Sequence, residues 1–337
     1  MSLFRVGVDS YSLGPLGLDP FRMLDWADRN GAQGVHFSEL HLREGQRLDE
    51  AFLKDVGQRA TELGLYLEWG GGQHIPFDTT TWQSRDLLPI NRAAAQQART
   101  VGARIVRSCS GGLMRWTNTA PPTEALLRAT AAALRESRPM LADLNVVLAI
   151  EVHFEFTTFE LRRLFEMCEA EPGGCFGVCL DTMNLLTMLE DPVLGTERIL
   201  PWVVAVHAKD GALRPAEDGY VSFTTPIGAG LVDFERILSR LATLRRPVNL
   251  SVEDHGGSFN IPAFDSTFLS RFPDLTADEL ARLTRLACQG QKRMEAGHIA
   301  PLDRGDWPQH CETRMRQNLV RMKELAAGID QRPGAAK

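Results

Sequence analysis

The run Val-Val-Leu-Ala-Ile-Glu at residues 146–151 ends a short apolar stretch with a carboxylate, and three later runs repeat the pattern. They are Phe-Gly-Val-Cys-Leu-Asp at 176–181, Val-Val-Ala-Val-His at 203–207 and Val-Asn-Leu-Ser-Val-Glu at 248–253. Each apolar part has the length and composition of a buried strand. If these are consecutive parallel strands of a barrel, their polar ends converge on one point. These ends are Glu151, Asp181, His207 and Glu253.

Three carboxylates and one imidazole around a point would be unstable unless a cation or a shared proton lay among them. The residues two positions earlier point the same way on each strand, and all are small, which leaves room for a crowded layer above. They are Ala149, Cys179, Ala205 and Ser251. For any single carboxylate a salt bridge at the barrel rim is an alternative. The repetition over four strands instead predicts one divalent metal, Mn²⁺ foremost, with Co²⁺, Mg²⁺ or Zn²⁺ as alternatives.

The first half of the chain also alternates strand and helix signals, and its first helix is predicted at about residues 20–30, after the first strand. Its predicted strands lie at about residues 4–9, 35–39, 65–69 and 104–108. Gly31, Gly64 and Gly102 fall where helices should end and a positive φ is wanted. Eight strands that alternate with helices predict an α/β fold, a (β/α)₈ TIM barrel.

The connections after the strands are long, which places extensive loops on the same face as the proposed ligands. They are residues 70–82, 110–122, 210–225 and 254–272. We expect a barrel over residues 1–272 and a helical extension over 273–330, packed on the barrel or at a subunit interface. Its two helices are predicted at 276–294 and 307–327. Residues 331–337 are predicted to be a disordered tail.

Composition excludes several classes of protein. The chain has 337 residues, 44% of them hydrophobic, and a net charge of -6. Because no basic stripe is visible, we expect no nucleic-acid partner. The six scattered cysteines are typical of reduced thiols. No run is apolar enough to span a bilayer and no signal peptide is recognisable, so we expect no membrane partner and a cytoplasmic location.

The strand-end motifs resemble those of a known family. In this chain the motifs are Glu151-Val-His153, Leu180-Asp181-Thr-Met-Asn184, Val206-His207-Ala-Lys209-Asp210 and Glu253. They resemble the xylose isomerase-like TIM barrels, which include ketose 3-epimerases, hydroxypyruvate isomerases, inosose dehydratases and lyases that open 3-keto-glycosides. The similarity covers most of the chain and is strongest between residues 146 and 255. The resemblance implies that Glu151, Asp181, His207 and Glu253 are the metal ligands.

The resemblance also implies that the two glutamates form an acid/base pair on opposite faces of the substrate. Two departures from the ketose epimerases concern the substrate. Asn184 stands where those enzymes commonly have a histidine, and Arg214 is only an approximate counterpart of an arginine that follows their seventh-strand histidine. These departures bear on epimerisation more than on the metal.

Further candidates lie near the strand ends. Glu-x-His occurs twice, so His153 and His255 could reach the barrel mouth, where either could move a proton or serve as a packing residue. Lys209 should share the face of His207, as a donor to a substrate oxygen or as a salt-bridge partner. The remaining predicted substrate contacts are Asn184, Glu68, Arg107 and His74.

Two weaker features lie in the loops. Gly228 and Gly230 could present amides to a phosphate, although a tight turn leading to Asp233 as a helix N-cap is favoured. Tryptophans in or near the long loops could stack on a sugar or anchor the loop. They are Trp69, Trp82 and Trp116.

The leading functional hypothesis is a metal-dependent isomerase or epimerase that removes a proton next to the carbonyl of a sugar or keto-polyol. A lyase or dehydratase acting on a keto-inositol or keto-glycoside would form the same enolate and then expel a leaving group. Two further alternatives are an enzyme similar to abasic-site endonucleases, which need several metals and a basic face, and a non-catalytic partner subunit. We expect a small-molecule substrate and a homo-oligomer, with a hetero-oligomer as the alternative.

Overall fold

Eight parallel strands close into a barrel in the structure, a computed structural model that describes residues 3–331. In order around the barrel they are β1 (Phe4–Asp9), β2 (Gly34–Phe37), β3 (Tyr66–Gly72), β4 (Ile105–Ser108), β5 (Val147–Glu151), β6 (Phe176–Asp181), β7 (Val203–Ala208) and β10 (Val248–Val252). Hydrogen bonds between β10 and β1 complete the circle. The predicted (β/α)₈ TIM barrel is therefore confirmed.

Helices connect the strands and cover the outside of the barrel. They are α1 (Pro20–Arg29), α2 (Glu50–Glu62), α3 (Leu88–Val101), α4 (Thr123–Asp143), α5 (Thr158–Met167), α6 (Asn184–Thr187), α7 (Pro192–Ile199) and α8 (Phe234–Leu241). Gly31, Gly64 and Gly102 have φ of 69°, 66° and 85°. They adopt the left-handed conformation expected where a helix ends and the chain turns toward the next strand.

A small antiparallel sheet covers part of the barrel mouth. It consists of β8 (Asp210–Ala216), β9 (Gly219–Thr225) and β11 (Ser258–Ile261), in the order β11-β9-β8. Residues 210–225 and 254–272, predicted as long loops after strands, contain these three short strands. Polar turn residues at Glu217-Asp218 separate two segments that pair as a hairpin and thereby satisfy their backbone groups.

Asp210 ties this hairpin to the following turn. Its buried carboxylate accepts backbone N–H groups from Gly211 and Gly228 at 2.8 Å, Gly230 at 3.1 Å and Val232 at 3.2 Å. The glycine amides that could have faced a phosphate are thus occupied by a side chain of the protein. Asp233 caps α8 as predicted, since its side chain accepts the N–H of Arg236.

The C-terminal part of the described chain is helical. After the short α9 (Ser266–Leu269), α10 (Ala277–Glu295) packs on β8, and α11 (Trp307–Asp330) packs on β1 and β10. The extra C-terminal helices are therefore confirmed, while the division at residue 272 stays a prediction. The predicted tail lies outside the described residues from residue 332 onward. Among residues 3–331, no helix is both long and apolar enough to cross a membrane.

The barrel interior has the small residues expected beneath the strand ends. Ala149, Cys179 and Ala205 are fully buried and belong to one packed cluster. The hydroxyl of Ser251, also buried, lies 2.9 Å from the hydroxyl of Tyr66. This layer supports the polar side chains two residues further along each strand.

Candidate metal centre and cavity

The four strand-end side chains converge at the carboxyl end of the barrel. Glu151, Asp181, His207 and Glu253 each offer one ligand atom, and these atoms all lie within 4.8 Å of one another. The pairing of β6 with β7 sets Asp181 opposite His207, and that of β7 with β10 sets His207 opposite Ser251, two residues before Glu253. Strand register thus brings together groups that are up to about a hundred residues apart in sequence.

Both glutamates turn one oxygen toward the same nitrogen of His207. The Nδ1 atom lies 2.7 Å from Glu253 Oε2 and 3.2 Å from Glu151 Oε1. The outer oxygens accept from cationic side chains, Glu151 Oε2 from Arg107 Nε at 2.8 Å and Glu253 Oε1 from Lys209 Nζ at 2.9 Å. The inner oxygens and Nδ1 therefore face a common point.

Asp181 is held by its own turn and by Lys209. Its Oδ1 accepts the backbone N–H groups of Met183 and Asn184 at 2.9 and 2.8 Å, and its Oδ2 lies 3.1 Å from Lys209 Nζ. The Asn184 side chain lies 3.3 Å from the same ammonium. Lys209 thus connects two of the three carboxylates of the cluster.

The far side of His207 contacts two groups that sequence reasoning missed. His207 Nε2 lies 3.4 Å from Asp9 Oδ2 and 3.1 Å from His36 Nδ1. Asp9 is the last residue of β1, and His36 lies near the end of β2. The strand-end rule that found the four proposed ligands would have found Asp9, had it been applied to the first strand, but not His36, because the second strand was predicted to end at residue 39 and ends at Phe37.

Burial and charge act against each other throughout the cluster. Burial raises the pKa of Asp181 to about 6, although Lys209 opposes the shift. Burial would also raise the pKa of Glu151, but Arg107 and His207 outweigh it and hold that pKa below its ordinary value. For Glu253 the charges of Lys209 and His207 likewise outweigh burial and lower the pKa well below its ordinary value. The two glutamates therefore remain ionised in a buried place.

The donor set fits a divalent cation. Three carboxylates and one imidazole make an oxygen-rich site with a single nitrogen, as suits Mn²⁺ or Mg²⁺ with one softer ligand. With Nδ1 facing the two glutamates, the other nitrogen of His207 faces Asp9, the arrangement in which a carboxylate orients a metal-binding imidazole.

A cavity of about 710 Å³ opens above this cluster. Its wall includes the aromatic side chains of Tyr11, Phe154 and Phe259, and Arg304 reaches it from the connection between α10 and α11. Six of the predicted site residues line it: Arg107, Glu151, His153, Lys209, Glu253 and His255. The four-residue cluster is therefore the polar end of a cavity large enough for a drug-sized molecule.

The other predicted contacts do not line this cavity. Glu68 lies one layer deeper, where it accepts from Asn249 and contacts the hydroxyl of Ser251. His74 is fully buried against Phe156 with its Nδ1 2.9 Å from Ser108 Oγ, and burial lowers its pKa to about 4. Asn184 is also buried and contacts the cluster through its backbone N–H to Asp181 and its side chain to Lys209. Arg214 lies on β8 away from the cavity wall.

Two histidines border the cavity in different surroundings. Burial and the nearby Lys209 ammonium lower the pKa of His255 to about 3, so this imidazole is neutral. Burial would also lower the pKa of His153, but Cys109 and Glu155 outweigh it and raise that pKa well above its ordinary value. His153 Nδ1 lies 2.9 Å from Glu155 Oε2. Neither Cys109 nor Glu155 was predicted as a site residue: Cys109 directly follows β4 but lies in the first half of the chain, where the strand-end rule was not applied, and Glu155 lies four residues beyond the end of β5.

The C-terminal extension completes the rim. The Arg304 guanidinium lies over the rings of Tyr11 and Trp307 at 5.3 and 4.6 Å from their centroids. It also donates to the hydroxyl of Tyr11 and to the backbone carbonyl of Gly256. Sequence reasoning had no spacing signal for Arg304, since it follows the barrel by some fifty residues.

A closed parallel barrel with acidic side chains grouped at the carboxyl ends of its strands defines the class of TIM-barrel proteins with a site at that face. The sequence matches the model of the xylose isomerase-like TIM barrel family over residues 24–286, and the chain belongs to this family. The resemblance seen in the strand-end motifs is thereby confirmed. No curated protein matches the sequence significantly.

Solved structures share the whole architecture at low sequence identity. An L-ribulose 3-epimerase is 18% identical, with a TM-score of 0.57 over 98% of this chain and 100% of its own. A D-allulose 3-epimerase from Methylomonas sp. is 14% identical, with a TM-score of 0.60 over 96% and 99%. A probable 3-DHS dehydratase from Bacillus anthracis is 13% identical, with a TM-score of 0.55 over 81% and 99%. At such identities the similarity establishes the fold alone.

Proposed function

We propose that the protein is a divalent-metal-dependent enzyme that isomerises or epimerises a sugar or keto-polyol by removing a proton from the carbon next to a carbonyl. The observation that carries the proposal is the convergence of three carboxylates and His207 Nδ1 on one point at the polar end of a cavity. Membership of a family whose structural neighbours include ketose 3-epimerases supports the same class of reaction.

Glu151, Asp181, His207 and Glu253 would hold the cation, with Mn²⁺ preferred and Co²⁺, Mg²⁺ or Zn²⁺ as alternatives. When bound, a divalent cation supplies Lewis-acid stabilisation of negative charge on substrate oxygens, worth several kcal/mol. A proton next to a carbonyl is too weakly acidic to leave without such help. The site must therefore combine charge stabilisation with a positioned base.

Glu151 and Glu253 would be that base and its acid partner. They come from β5 and β10, which β6 and β7 separate, so they approach the common point from different sides. Arg107 and Lys209 each bind the outer oxygen of one glutamate and favour its ionised form. A positioned carboxylate base contributes a factor of about 10²–10⁴ in rate. Arg107 and His255 would in addition donate to substrate oxygens, and Lys209 would do so in place of its bond to Asn184.

A lyase or dehydratase is the second candidate, and two observations favour it. His153 lines the cavity and could protonate a leaving group. The cavity of about 710 Å³ is suited to a drug-sized molecule, and a monosaccharide would leave part of it empty. Proton removal by the same glutamates would be followed by loss of water or an aglycone from the neighbouring carbon.

Product analysis in deuterated water separates the two reactions. The manganese-loaded protein would be incubated with a panel of keto-sugars, inososes and 3-keto-glycosides. Deuterium at one carbon without elimination is the expected result, whereas release of water or an aglycone would assign the lyase. Glu151→Gln and Glu253→Gln should abolish the exchange. Glu39→Gln is the matched control, since Glu39 lines the cavity without bonding to the four proposed ligands. Absence of exchange into every member of the panel would contradict the proposal.

A further inference from the structure

We propose that Cys109, His153 and Glu155 form a second cation site in the same cavity, selective for a softer ion such as Zn²⁺. The three side chains each offer one ligand atom, and these atoms lie within 4.8 Å of one another. None of them belongs to the group of Glu151, Asp181, His207 and Glu253. The inference concerns the ion content of the chain and does not depend on which reaction the protein performs.

The three groups are held in place before any ion binds. The backbone N–H of Gly111 donates to Glu155 Oε1 at 2.6 Å, which leaves Oε2 directed at His153, 2.9 Å from Nδ1. The His153 ring packs on Phe154 with ring centroids 4.2 Å apart. Cys109 directly follows β4, and His153 and Glu155 lie just beyond the end of β5. These two strands are neighbours in the barrel. Little rearrangement is needed to bring a sulfur, a nitrogen and an oxygen to one ion.

The charge of Glu155 points in the same direction. The Glu155 side chain is 1% exposed. Among the residues that the structure describes, its ion-pair partner is His153. A buried carboxylate is costly unless a positive charge lies against it. The nearby Arg107 is paired with Glu151 instead. Protonated His153 supplies that positive charge, and a divalent cation bound between the two side chains would replace its proton as the counter-charge of Glu155.

The ligand chemistry distinguishes the two sites. Thiolate, imidazole and carboxylate are the ligands of tetrahedral zinc, and three protein ligands with one open position are typical of catalytic zinc sites. The open position would face the cavity, because Cys109, Gly111 and His153 line it. Binding forms three bonds to the ion and expels the proton of the Cys109 thiol to solvent, together with any proton on the ligating nitrogen. The bound site, with one thiolate and one carboxylate around a divalent ion, is neutral.

Occupation of this site would also limit the role of His153. An imidazole that ligates a cation cannot at the same time carry a proton at the same nitrogen. Ion binding would therefore leave proton transfer to Glu151 and Glu253 and disfavour a reaction that needs His153 as an acid.

Cobalt spectroscopy tests the proposal, because a thiolate bonded to Co²⁺ gives an intense near-ultraviolet charge-transfer absorption that oxygen and nitrogen ligands do not give. The chelated full-length protein would be titrated with Co²⁺ alone. We expect two equivalents per chain, one of which develops the absorption, and loss of the absorption when Zn²⁺ is added. Cys109→Ser should remove the absorption and one equivalent. Cys288→Ser is the matched control, since Cys288 is exposed and belongs to neither group of proposed ligands.

The outcomes separate this proposal from the metal centre. One equivalent without the absorption, or an absorption that survives Cys109→Ser, would overturn the second site. If Cys109→Ser abolishes the absorption but Asp181→Asn still binds two equivalents of Co²⁺, the second site stands and the proposed site of Glu151, Asp181, His207 and Glu253 is contradicted. If Cys109→Ser does not fold by circular dichroism, Glu155→Gln provides the same test by weakening Co²⁺ binding at the thiolate.

Discussion

At the scale of single residues, the site is a balance between buried acids and the groups that neutralise them. Glu151 and Glu253 each bind one cationic side chain and turn the other oxygen toward His207. Asp9 faces the opposite nitrogen of the same imidazole. The orientation of His207 therefore depends on a residue that does not belong to the proposed ligand set.

Asp9→Asn should weaken Mn²⁺ binding by about 10–100-fold, because an amide orients the imidazole less strongly than a carboxylate does. Titration of the chelated protein with Mn²⁺, followed by calorimetry, measures the change. Asp19→Asn is the matched control, since Asp19 is equally buried but caps α1. Equal affinities in the wild type and the Asp9 variant would show that Asp9 does not orient the ligand.

The burial of His74 predicts how the free energy of unfolding depends on pH. Its pKa is about 4 in the folded protein and 6.5 as the ordinary value, so the unfolded chain takes up a proton first as the pH falls. The stability due to neutral His74 is present above pH 6.5 and is lost progressively toward pH 4. Lowering the pH from 7 to 5 should therefore reduce the contribution of this group to the free energy of unfolding by about 2 kcal/mol.

Denaturant unfolding at the two pH values measures this cost. His74→Asn should reduce the loss between pH 7 and pH 5 by that amount, whatever its effect on absolute stability. His310→Asn, at an exposed histidine, should leave the loss unchanged. A His74 variant with the same pH dependence as the wild type would refute the assignment of a buried, neutral imidazole.

At the scale of elements, strands and loops differ in how far sequence determines them. The apolar runs ending at Glu151, Asp181 and Glu253 predicted strands close to those observed, because burial on both faces requires continuous apolar residues. The hairpin of β8 and β9 lies in a segment predicted as a loop, and it is stabilised by pairing with β11 and by packing against α10. Such support comes from distant parts of the chain, and no local pattern shows it.

Asp210→Asn should lower the free energy of unfolding by about 3 kcal/mol. The carboxylate accepts four backbone N–H groups, and an amide would turn its NH₂ group toward some of these donors and leave them unsatisfied. Urea unfolding measures the loss. Asp218→Asn, at the exposed turn of the same hairpin, should cost well under about 1 kcal/mol. Similar costs for the two variants would show that the buried amide cluster is not what holds the hairpin.

At the scale of the whole molecule, the C-terminal helices belong to the barrel mouth. Arg304 lines the cavity, and Arg314 of α11 binds Asp254, the residue after Glu253, through two bonds of 2.8 and 2.7 Å. The candidate ligands could be found from strand ends, whereas these contacts could not, because they join segments with no shared sequence pattern. The extension therefore supports the site as well as the fold.

Arg314→Ala should cost about 3 kcal/mol of unfolding free energy, since it leaves the buried Asp254 carboxylate without its ion-pair partner. Thermal and urea unfolding both report the change. Arg316→Ala removes an exposed pair with Glu312 on the same helix and should cost no more than about 0.5 kcal/mol. A cost for Arg314→Ala as small as that of Arg316→Ala would mean that α11 is not anchored through this pair.

The central claim is that one cation is bound by Glu151, Asp181, His207 and Glu253. A crystal structure of the protein grown with Mn²⁺, with data collected at the manganese absorption edge, tests it most directly. We expect an anomalous peak at bonding distance from all four side chains, on the side of His207 Nδ1. A map without a peak among these groups, or with the four side chains turned away from one another, would contradict it.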